Sequence, residues 1–198
     1  VELKAERTLS QNKSRFVIGS SGRLVRQKGF DILLDAFAEI CIVVKDCELR
    51  IAGDGKLRTE LERQAHALGI ADRVNFLGHV PDIDNFLAEL DVFAMASRWE
   101  GMPYSLLEAM AIGLPVIATK VNGVGEILYN GFNGLLVPSE NSSAFAKALQ
   151  IAYESTDERA KWGHKARLIV QDHNAESFAR ALEWRYLRVL EDNPIFHA

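Results

Sequence analysis

Two carboxylates and a tight turn lie within one short stretch of the chain, at residues 97–115. Glu100 precedes the turn Gly101-Met102-Pro103, and Glu108 lies on the apolar segment that follows, which predicts a helix. Proline suits a helix start because its missing N–H is not needed there. The first-turn amides are expected to lack acceptors within the helix, and the positive end of the helix dipole makes them attractive to anions. These are the amides of Tyr104, Ser105 and Leu106.

Glu108 lies about one helical turn beyond these amides. A carboxylate there is poorly placed to contact the same phosphate, but it is well placed to accept hydrogen bonds from a neighbouring diol. A phosphate followed by a diol is the arrangement of a nucleotide. The alternative is an ordinary amphipathic helix with an acid on its surface, since Leu107, Met110 and Ala111 form an apolar stripe. The stretch alone does not decide between the two interpretations.

Short apolar strands alternate with helical patterns along the rest of the chain. One such helix carries Phe30, Leu33, Leu34 and Phe37 at the spacing of a single buried face. Apolar strands that alternate with helices are typical of a parallel sheet covered on both sides. We therefore predict an α/β fold, a Rossmann-like doubly wound parallel sheet of about six strands with helices at the C-terminal end. The predicted strands are 16–18, 49–52, 74–77, 91–95, 115–118 and 134–137.

Glycines follow the carboxyl ends of most predicted strands. They are Gly19, Gly22, Gly53, Gly55, Gly78, Gly123 and Gly125. In open α/β sheets ligands bind at this edge, where glycine lets the backbone approach them closely. Arg23 and Lys28 flank the first strand-to-helix turn, so both are expected at the same edge. Each could be an ordinary surface charge, but with the helix amides they would surround a diphosphate.

Several familiar enzyme motifs are absent from the sequence. The turn after the first strand reads G-S-S-G-R-L, which is not the G-x-G-x-x-G of dinucleotide oxidoreductases, and neither a P-loop nor a G-x-S-x-G elbow occurs. Glycosidase acids flank the bond they cleave from opposite directions. Glu100 and Glu108 belong to one turn and helix, which argues against that chemistry.

Composition bounds the remaining possibilities. The 198 residues are 48% hydrophobic and 25% charged, as in globular domains, and the formal net charge of -4 argues against general nucleic-acid or membrane-surface binding. Cys41 and Cys47 show neither a disulfide framework nor zinc-site spacing, and we interpret them as buried thiols in a reducing compartment. No metal or other cofactor is expected. With no signal peptide visible, the expected location is the cytoplasm, at most with peripheral attachment of a longer protein to the inner membrane face.

Six motifs follow one another in a specific order over residues 14–155. They are G-R-L-x-x-x-K-G at 22–29, L-x-I-A-G-D-G at 49–55, V-x-F-L-G-x-V at 74–80, S-R-x-E-G-x-P-x-x-L-L-E-A-M-A-x-G-L-P-V-I-A-T at 97–119, G-V-x-E-I at 123–127 and G-x-x-G-L-L-V at 131–137. This set resembles the C-terminal, donor-binding half of the GT-B-fold retaining glycosyltransferases, the glycosyl transferases group 1 family. The E-x7-E pair formed by Glu100 and Glu108 is characteristic of that family. Asn122 departs from the pattern, where the family often has glycine. Asparagine tolerates the left-handed conformation, so we expect little loss there.

The resemblance implies a role for each candidate residue. Arg23 and Lys28 match the pair that holds the donor diphosphate, Glu108 matches the ribose-binding acid, and Glu100 matches the acid near the transferred sugar. The backbone at Tyr104, Ser105 and Leu106 matches the segment that meets the phosphate. Gly22 belongs to the first glycine turn at the ligand edge, and Val80 belongs to a loop near the base.

A whole enzyme of this type has a second Rossmann-like half that carries the acceptor site. Because the chain begins at Val1 rather than Met, we interpret it as part of a longer protein. We expect 1–15 to be a linker or edge segment, 16–173 the nucleotide-sugar-binding domain, and 174–198 a C-terminal helix that crosses to the N-terminal half. The resemblance implies transfer of a hexose from a UDP-, GDP- or ADP-sugar to a sugar or lipid-linked acceptor, in polysaccharide or lipopolysaccharide biosynthesis. The isolated chain is expected to be inactive. Alternatives are a non-catalytic nucleotide-binding module, or a GT-B-fold epimerase or phosphorylase.

Overall fold

The computed structural model describes residues 15–172, in which strands and helices alternate. The strands are β1 (Phe16–Ser21), β2 (Cys47–Ala52), β3 (Val74–Gly78), β4 (Val92–Met95), β5 (Val116–Thr119) and β6 (Leu135–Val137). The helices are α1 (Phe30–Val43), α2 (Arg58–Ala67), α3 (Ile83–Ala88), α4 (Tyr104–Ala111), α5 (Ser142–Glu154) and α6 (Thr156–Asp172). Short 3₁₀ turns lie at Arg26–Lys28 and Ala71–Arg73.

The strands form one six-stranded sheet in the order β3-β2-β1-β4-β5-β6, and every pairing is parallel. The central strand β1 pairs with β2 on one side and with β4 on the other, so that Ile18 is level with Leu49 and with Val92. The strand order therefore reverses direction at β1 and β4. The predicted Rossmann-like parallel sheet of about six strands is confirmed.

Successive strand residues face opposite layers of the core. Ile18 belongs to the cluster that packs against α1, α2 and α5. Its neighbour Val17 belongs to the cluster that packs against α3 and α4. Phe93 lies in this second cluster, and the flanking Val92 and Ala94 lie in the first. Both faces are buried, as a doubly wound sheet requires.

Helix α1 begins at a close contact with the sheet. Gly29 has φ 62°, and a Cβ atom added to it would lie 2.0 Å from the backbone oxygen of Ala96. Only glycine fits such an approach without displacing backbone. The predicted apolar face of α1 is buried, with Leu33, Leu34 and Phe37 fully enclosed. The start of α1, and with it the turn that carries Lys28, is thereby fixed next to the end of β4.

Strand β1 is longer than the sequence pattern indicated. We predicted that Gly19 lies in a turn after the strand, and this is wrong, because β1 continues to Ser21. A Cβ atom on Gly19 would lie 2.0 Å from Cδ1 of Leu90, so this glycine makes room for a core side chain. The ligand-edge turn begins instead at Gly22.

Some expectations fall at or beyond the ends of the described residues. The C-terminal helix expected at 174–198 and residues 1–14 lie outside them. Arg15, the last residue of the expected edge segment, pairs with Asp46 and Glu48. Within 15–172, no helix combines the length and the hydrophobicity needed to cross a bilayer.

Candidate nucleotide-sugar site

A cleft of about 380 Å³ opens at the carboxyl edge of the sheet, where the strand order reverses. Such a reversal is where open α/β sheets bind ligands. Residues at or beyond the ends of four strands line the cleft: Ser21, Gly22, Arg23 and Lys28 for β1, Ala52, Gly53 and Asp54 for β2, His79, Val80 and Ile83 for β3, and Met102, Tyr104, Ser105 and Glu108 for β4.

The floor of the cleft depends on closely packed glycines. The N–H of Gly22 donates to the oxygen of Ala52, and the N–H of Gly53 donates to the oxygen of Gly78. A Cβ atom on Gly53 would lie 2.0 Å from the oxygen of Gly22. The turns after β1, β2 and β3 therefore pack against one another, which leaves the cleft above them open to a ligand.

The two predicted basic residues differ in their surroundings. The guanidinium of Arg23 is exposed and makes no hydrogen bond or ion pair with any residue from 15 to 172. Lys28 is largely buried, and its Nζ lies 2.6 Å from Oε1 of Glu100. A bound anion would therefore meet one cation that is free to move and one that a carboxylate holds in place.

Glu100 lies behind Lys28 and does not line the cleft. Its side chain is only 3% exposed, and Oε1 accepts hydrogen bonds both from Lys28 and, at 2.7 Å, from the Ser97 hydroxyl. The Thr119 hydroxyl in turn donates to the backbone oxygen of Ser97, at 2.5 Å. The second oxygen, Oε2, has no hydrogen-bond partner among residues 15–172. Sequence reasoning missed Ser97 and Thr119, whose only signal was their place in the motif at 97–119.

The first turn of α4 corrects one expectation. The N–H of Tyr104 donates to the oxygen of Met102, and the N–H of Leu106 donates to that of Pro103. The prediction that both amides are free is therefore wrong, and the side chain of Leu106 lies in the core. Among residues 15–172, the N–H of Ser105 alone of the three has no acceptor, and the Ser105 hydroxyl is also buried without a partner. Ser105 lines the cleft, so two donors without acceptors belong to one residue of its wall.

Glu108 lines the same side of the cleft, one turn beyond Ser105, and its side chain is exposed. Partial burial raises the pKa of Glu108 above its ordinary value, and the nearby Asp84 carboxylate adds to the effect. No cation compensates it within the described part of the chain. A carboxylate in this position is an available acceptor for hydroxyl groups.

The far end of the cleft lies after β3. Val80 lines it as predicted, together with His79, Ile83 and Asp54, which sequence reasoning left unassigned. The Asp54 carboxylate is partly engaged, because its Oδ1 accepts from the N–H of Gly55. Among residues 15–172, no three His, Cys, Asp or Glu side chains come together in a way that could hold a metal ion.

The loop after β5 supports the cleft from behind. Gly123 has φ 79°, and its Cβ position lies 2.5 Å from the oxygen of Gly101, so the loop packs directly on the turn before α4. Asn122 does not adopt a positive φ, since Glu140 is the only non-glycine residue of 15–172 that does. The departure from glycine at Asn122 therefore needs no left-handed backbone.

Arg98 joins three separate segments next to the site. Its guanidinium makes two hydrogen bonds to Asp31, at 2.8 and 2.7 Å, and two to Glu140, at 2.6 and 3.2 Å. It also donates to the backbone oxygen of Arg26, in the 3₁₀ turn that carries Lys28. The sequence motif contained Arg98, but its partners lie too far away along the chain for spacing to reveal them.

Comparisons with known proteins give the family of the chain. The model of the family described as glycosyl transferases group 1 matches residues 3–169. The lipopolysaccharide core biosynthesis glycosyltransferase LpsE of Rhizobium meliloti is 35% identical over 181 residues, which are 90% of this chain and 50% of that protein. The chain spans about half the length of the curated relatives it matches.

Two solved structures share the fold. HepE of Anabaena, in complex with UDP and glucose, superposes with a TM-score of 0.79 at 30% identity, over 85% of this chain and 48% of that one. The C-terminal domain of the group 1 family protein LpcC from Francisella tularensis has a TM-score of 0.73 at 27% identity, over 79% of this chain and 84% of that one. Together with the family match, these likenesses show that the chain belongs to the glycosyl transferases group 1 family and has the Rossmann-like architecture of GT-B glycosyltransferases.

Proposed function

We propose that this chain is the donor-binding half of a retaining glycosyltransferase that transfers a hexose from a UDP-, GDP- or ADP-sugar to a sugar or lipid-linked acceptor. The observation that carries the proposal is the grouping of Arg23, Lys28, Ser105 and Glu108 around one cleft at the point where the strand order reverses. Around the cleft these groups place cations and hydrogen-bond donors where the diphosphate would lie, and a hydrogen-bond acceptor where the ribose would lie.

The diphosphate would lie between the turn after β1 and the start of α4. Arg23 supplies a planar fork of donors, and Lys28 supplies a compact charge. The free N–H of Ser105 lies on the other wall, and rotation of its enclosed side chain would bring the hydroxyl to the same space. Negative charge grows on the leaving phosphate as the bond to the sugar breaks, and donors fixed in advance around that phosphate stabilise the transition state.

The ribose would lie beside Glu108 and the base beyond it, towards Val80. The carboxylate of Glu108 accepts hydrogen bonds from the ribose hydroxyls, which compensate for its partial burial. Tyr104 contributes its exposed side chain to the rim of the cleft, and Gly22 contributes the close approach of its backbone. The UDP bound to HepE makes UDP the first nucleotide to test.

Glu100 would act on both the phosphate and the sugar. Through Oε1 it holds Lys28 in place, and its unpartnered Oε2 is left to position the sugar. A carboxylate near the anomeric carbon also stabilises the positive charge that develops there. We do not propose Glu100 as a nucleophile, because its oxygen Oε1 is bound to both Lys28 and Ser97.

The transfer reaction needs an acceptor site opposite this cleft. We propose that a second, N-terminal Rossmann-like half supplies that site and that the reaction takes place in the cytoplasm. The 198-residue chain is then expected to bind nucleotide without transferring sugar. Sugar transfer by the chain alone at the rate of a longer form would contradict this part of the proposal.

The direct test is calorimetric titration of the chain with UDP, GDP and ADP, and then with the corresponding nucleotide sugars. Glu108→Ala is expected to weaken nucleotide binding at least tenfold, because a hydrogen bond to a charged group contributes about 1.5–3 kcal/mol. The matched control is Glu60→Ala, an exposed acid on α2 outside the cleft, which should bind like the original chain. Equal affinities for the two variants would overturn the ribose assignment.

A further inference from the structure

Two buried thiols lie near the amino end of strand β2, at the end of the sheet opposite the cleft. Cys41 is in the last turns of α1, and Cys47 is the first residue of β2, whose carboxyl end lines the cleft. Both are free, and their sulfur atoms are 3.6 Å apart. The Cys47 thiol donates to the backbone oxygen of Val44, at 3.1 Å, which leaves its sulfur free to accept from Cys41. The two sulfurs are therefore already in hydrogen-bond contact.

The half-exposed guanidinium of Arg73 lies beside them. Nη1 of Arg73 is enclosed and has no acceptor among residues 15–172. A thiolate next to this cation would be stabilised by its positive charge. The Arg73 guanidinium is near enough to act electrostatically on both thiols.

These contacts favour one particular thiolate. The hydrogen bond from Cys41 lowers the pKa of Cys47 to about 7, helped by Arg73 and opposed by burial and by Asp46. The pKa of Cys41 is raised, first because its thiol hydrogen-bonds to Cys47, then because burial disfavours its charged form, and last because the Cys47 thiolate would lie next to a second negative charge. In an oxidation of this pair, the Cys47 sulfur would therefore attack the oxidant first. The Cys41 thiol would then react with the oxidised Cys47.

We propose that Cys41 and Cys47 form an oxidisable dithiol that a peroxide converts into an intrachain disulfide. The Cys47 thiolate attacks one peroxide oxygen, the O–O bond breaks, and a sulfenic acid forms as hydroxide leaves and takes up a proton. The sulfur of Cys41 then attacks that of Cys47, the S–S bond forms, and the S–O bond breaks to release a second water. Two thiols lose two electrons and two protons, and the peroxide is reduced to two waters.

The geometry accommodates this product and selects the oxidant. An S–S bond is about 2.05 Å long, so the sulfurs must approach by roughly 1.5 Å. In the connection between them Ile42, Val43, Lys45 and Asp46 are exposed, and Val44 is the one residue that packs in the core. Cys41 is 8% exposed and Cys47 only 2%. A peroxide is little larger than water and fits such limited access, whereas a bulky disulfide such as oxidised glutathione does not.

The test counts free thiols after exposure of the folded chain to hydrogen peroxide. The chain has two cysteines, so alkylation under denaturing conditions followed by intact-mass measurement reports on this pair alone. We expect uptake of alkylating groups to fall from two to zero with hydrogen peroxide, to return to two after dithiothreitol, and to stay at two with oxidised glutathione. Methionine oxidation is separable because it changes neither the alkylation count nor its reversal. Thiols that remain alkylatable after peroxide, or that are lost irreversibly, would overturn the proposal.

Three variants assign the roles of the residues. Cys41→Ser should hold the oxidised Cys47 as a sulfenic acid that a dimedone probe captures, whereas Cys47→Ser should yield no dimedone adduct. Arg73→Met should slow the loss of thiols at least several-fold, and Arg63→Met, an exposed arginine on α2, is the matched control and should leave the rate unchanged. Equal rates for the two arginine variants would remove Arg73 from the mechanism. Because the measurement on the original chain needs no variant, poor folding of a mutant would not affect the main result.

Discussion

The contact between Lys28 and Glu100 gives the sharpest test of how the site is built. Replacing Lys28 by methionine keeps the unbranched side chain apart from its last atom and removes its charge. Glu100 is then left as a 3% exposed carboxylate with only the Ser97 hydroxyl as a donor. Removing one partner of a buried ion pair costs about 3–5 kcal/mol. Because Lys28 is 18% exposed and water from the cleft can take its place, we expect the lower end, about 3 kcal/mol.

The reverse change has a smaller cost. Glu100→Gln keeps the shape of the side chain and an acceptor for Ser97, and the remaining Lys28 ammonium can turn towards the cleft and water. We expect a loss of about 1–2 kcal/mol. The double variant contains neither charge, so no buried carboxylate is left uncompensated. Its loss should be less than the sum of the single losses by at least about 1.5 kcal/mol.

Urea denaturation of the four proteins, followed by circular dichroism, measures these free energies of unfolding. In thermal melts Lys28→Met alone should lower the Tm by roughly 6–12 °C, at about 2–4 °C per kcal/mol for a domain of this size. The control pair is Arg58→Met with Glu62→Gln, since Arg58 and Glu62 form an exposed pair on α2 with side chains 34% and 42% exposed. That pair should show a coupling below about 0.5 kcal/mol. Additive losses for Lys28 and Glu100 would refute the reasoning, because they would mean that the carboxylate does not depend on the lysine.

Three further changes separate binding from folding. Gly29→Ala should lower the free energy of unfolding by at least about 2 kcal/mol more than Gly69→Ala in urea melts, because both glycines have left-handed backbones but only Gly29 lies against another backbone oxygen; equal losses would contradict the close approach. Ser105→Ala should leave the Tm unchanged or raise it, because the Ser105 hydroxyl is buried without a partner among the described residues. Calorimetry should show UDP binding weakened about tenfold. An unchanged affinity for UDP would mean that this hydroxyl does not contribute to the phosphate site. Glu108→Gln should raise the Tm at pH 7, because a carboxyl with a raised folded-state pKa destabilises the fold when ionised, and the gain should vanish as the pH falls below the ordinary pKa of glutamate; a gain that persists in acid would argue against this cause.

The fold followed from the sequence because its signals are local. Each of these signals depends only on residues that are close together in the sequence. They are the apolar runs of strand length, the buried stripe of α1 and the turn glycines, and together they predict a parallel doubly wound sheet. Gly19 was placed wrongly for the same reason. A glycine in a strand that makes room for the distant Leu90 has the same local pattern as one in a turn.

The candidate site was predictable in position but not in its contacts. The edge of the sheet located Arg23, the helix after the turn located Glu108, and the family resemblance located Val80. All three line the cleft. The pairing of Lys28 with Glu100 joins residues 72 positions apart, and no spacing rule reveals such a contact. The state of the α4 amides depends on backbone torsions at the Gly101-Met102-Pro103 turn, which residue types alone do not fix.

The same limit applied to Cys41 and Cys47. Their spacing matched no known motif, and buried thiols were the natural interpretation. The structure shows that both thiols are buried. It also shows that their sulfurs are in contact next to Arg73, which lies on the turn before β3. Only the packing of α1 and β2 against the turn before β3 brings these three residues together.

Arg98 has a consequence for the affinity of the site. Its bonds to Asp31, to Glu140 and to the backbone of Arg26 hold the turn that carries Lys28 before any nucleotide arrives. A flexible turn would have to lose conformational entropy at the moment of binding, and that loss would be subtracted from the affinity. Here the loss has already occurred during folding. The side chain of Arg98 does not line the cleft. It nevertheless favours binding, because it removes the entropic cost of ordering Lys28, which does line the cleft.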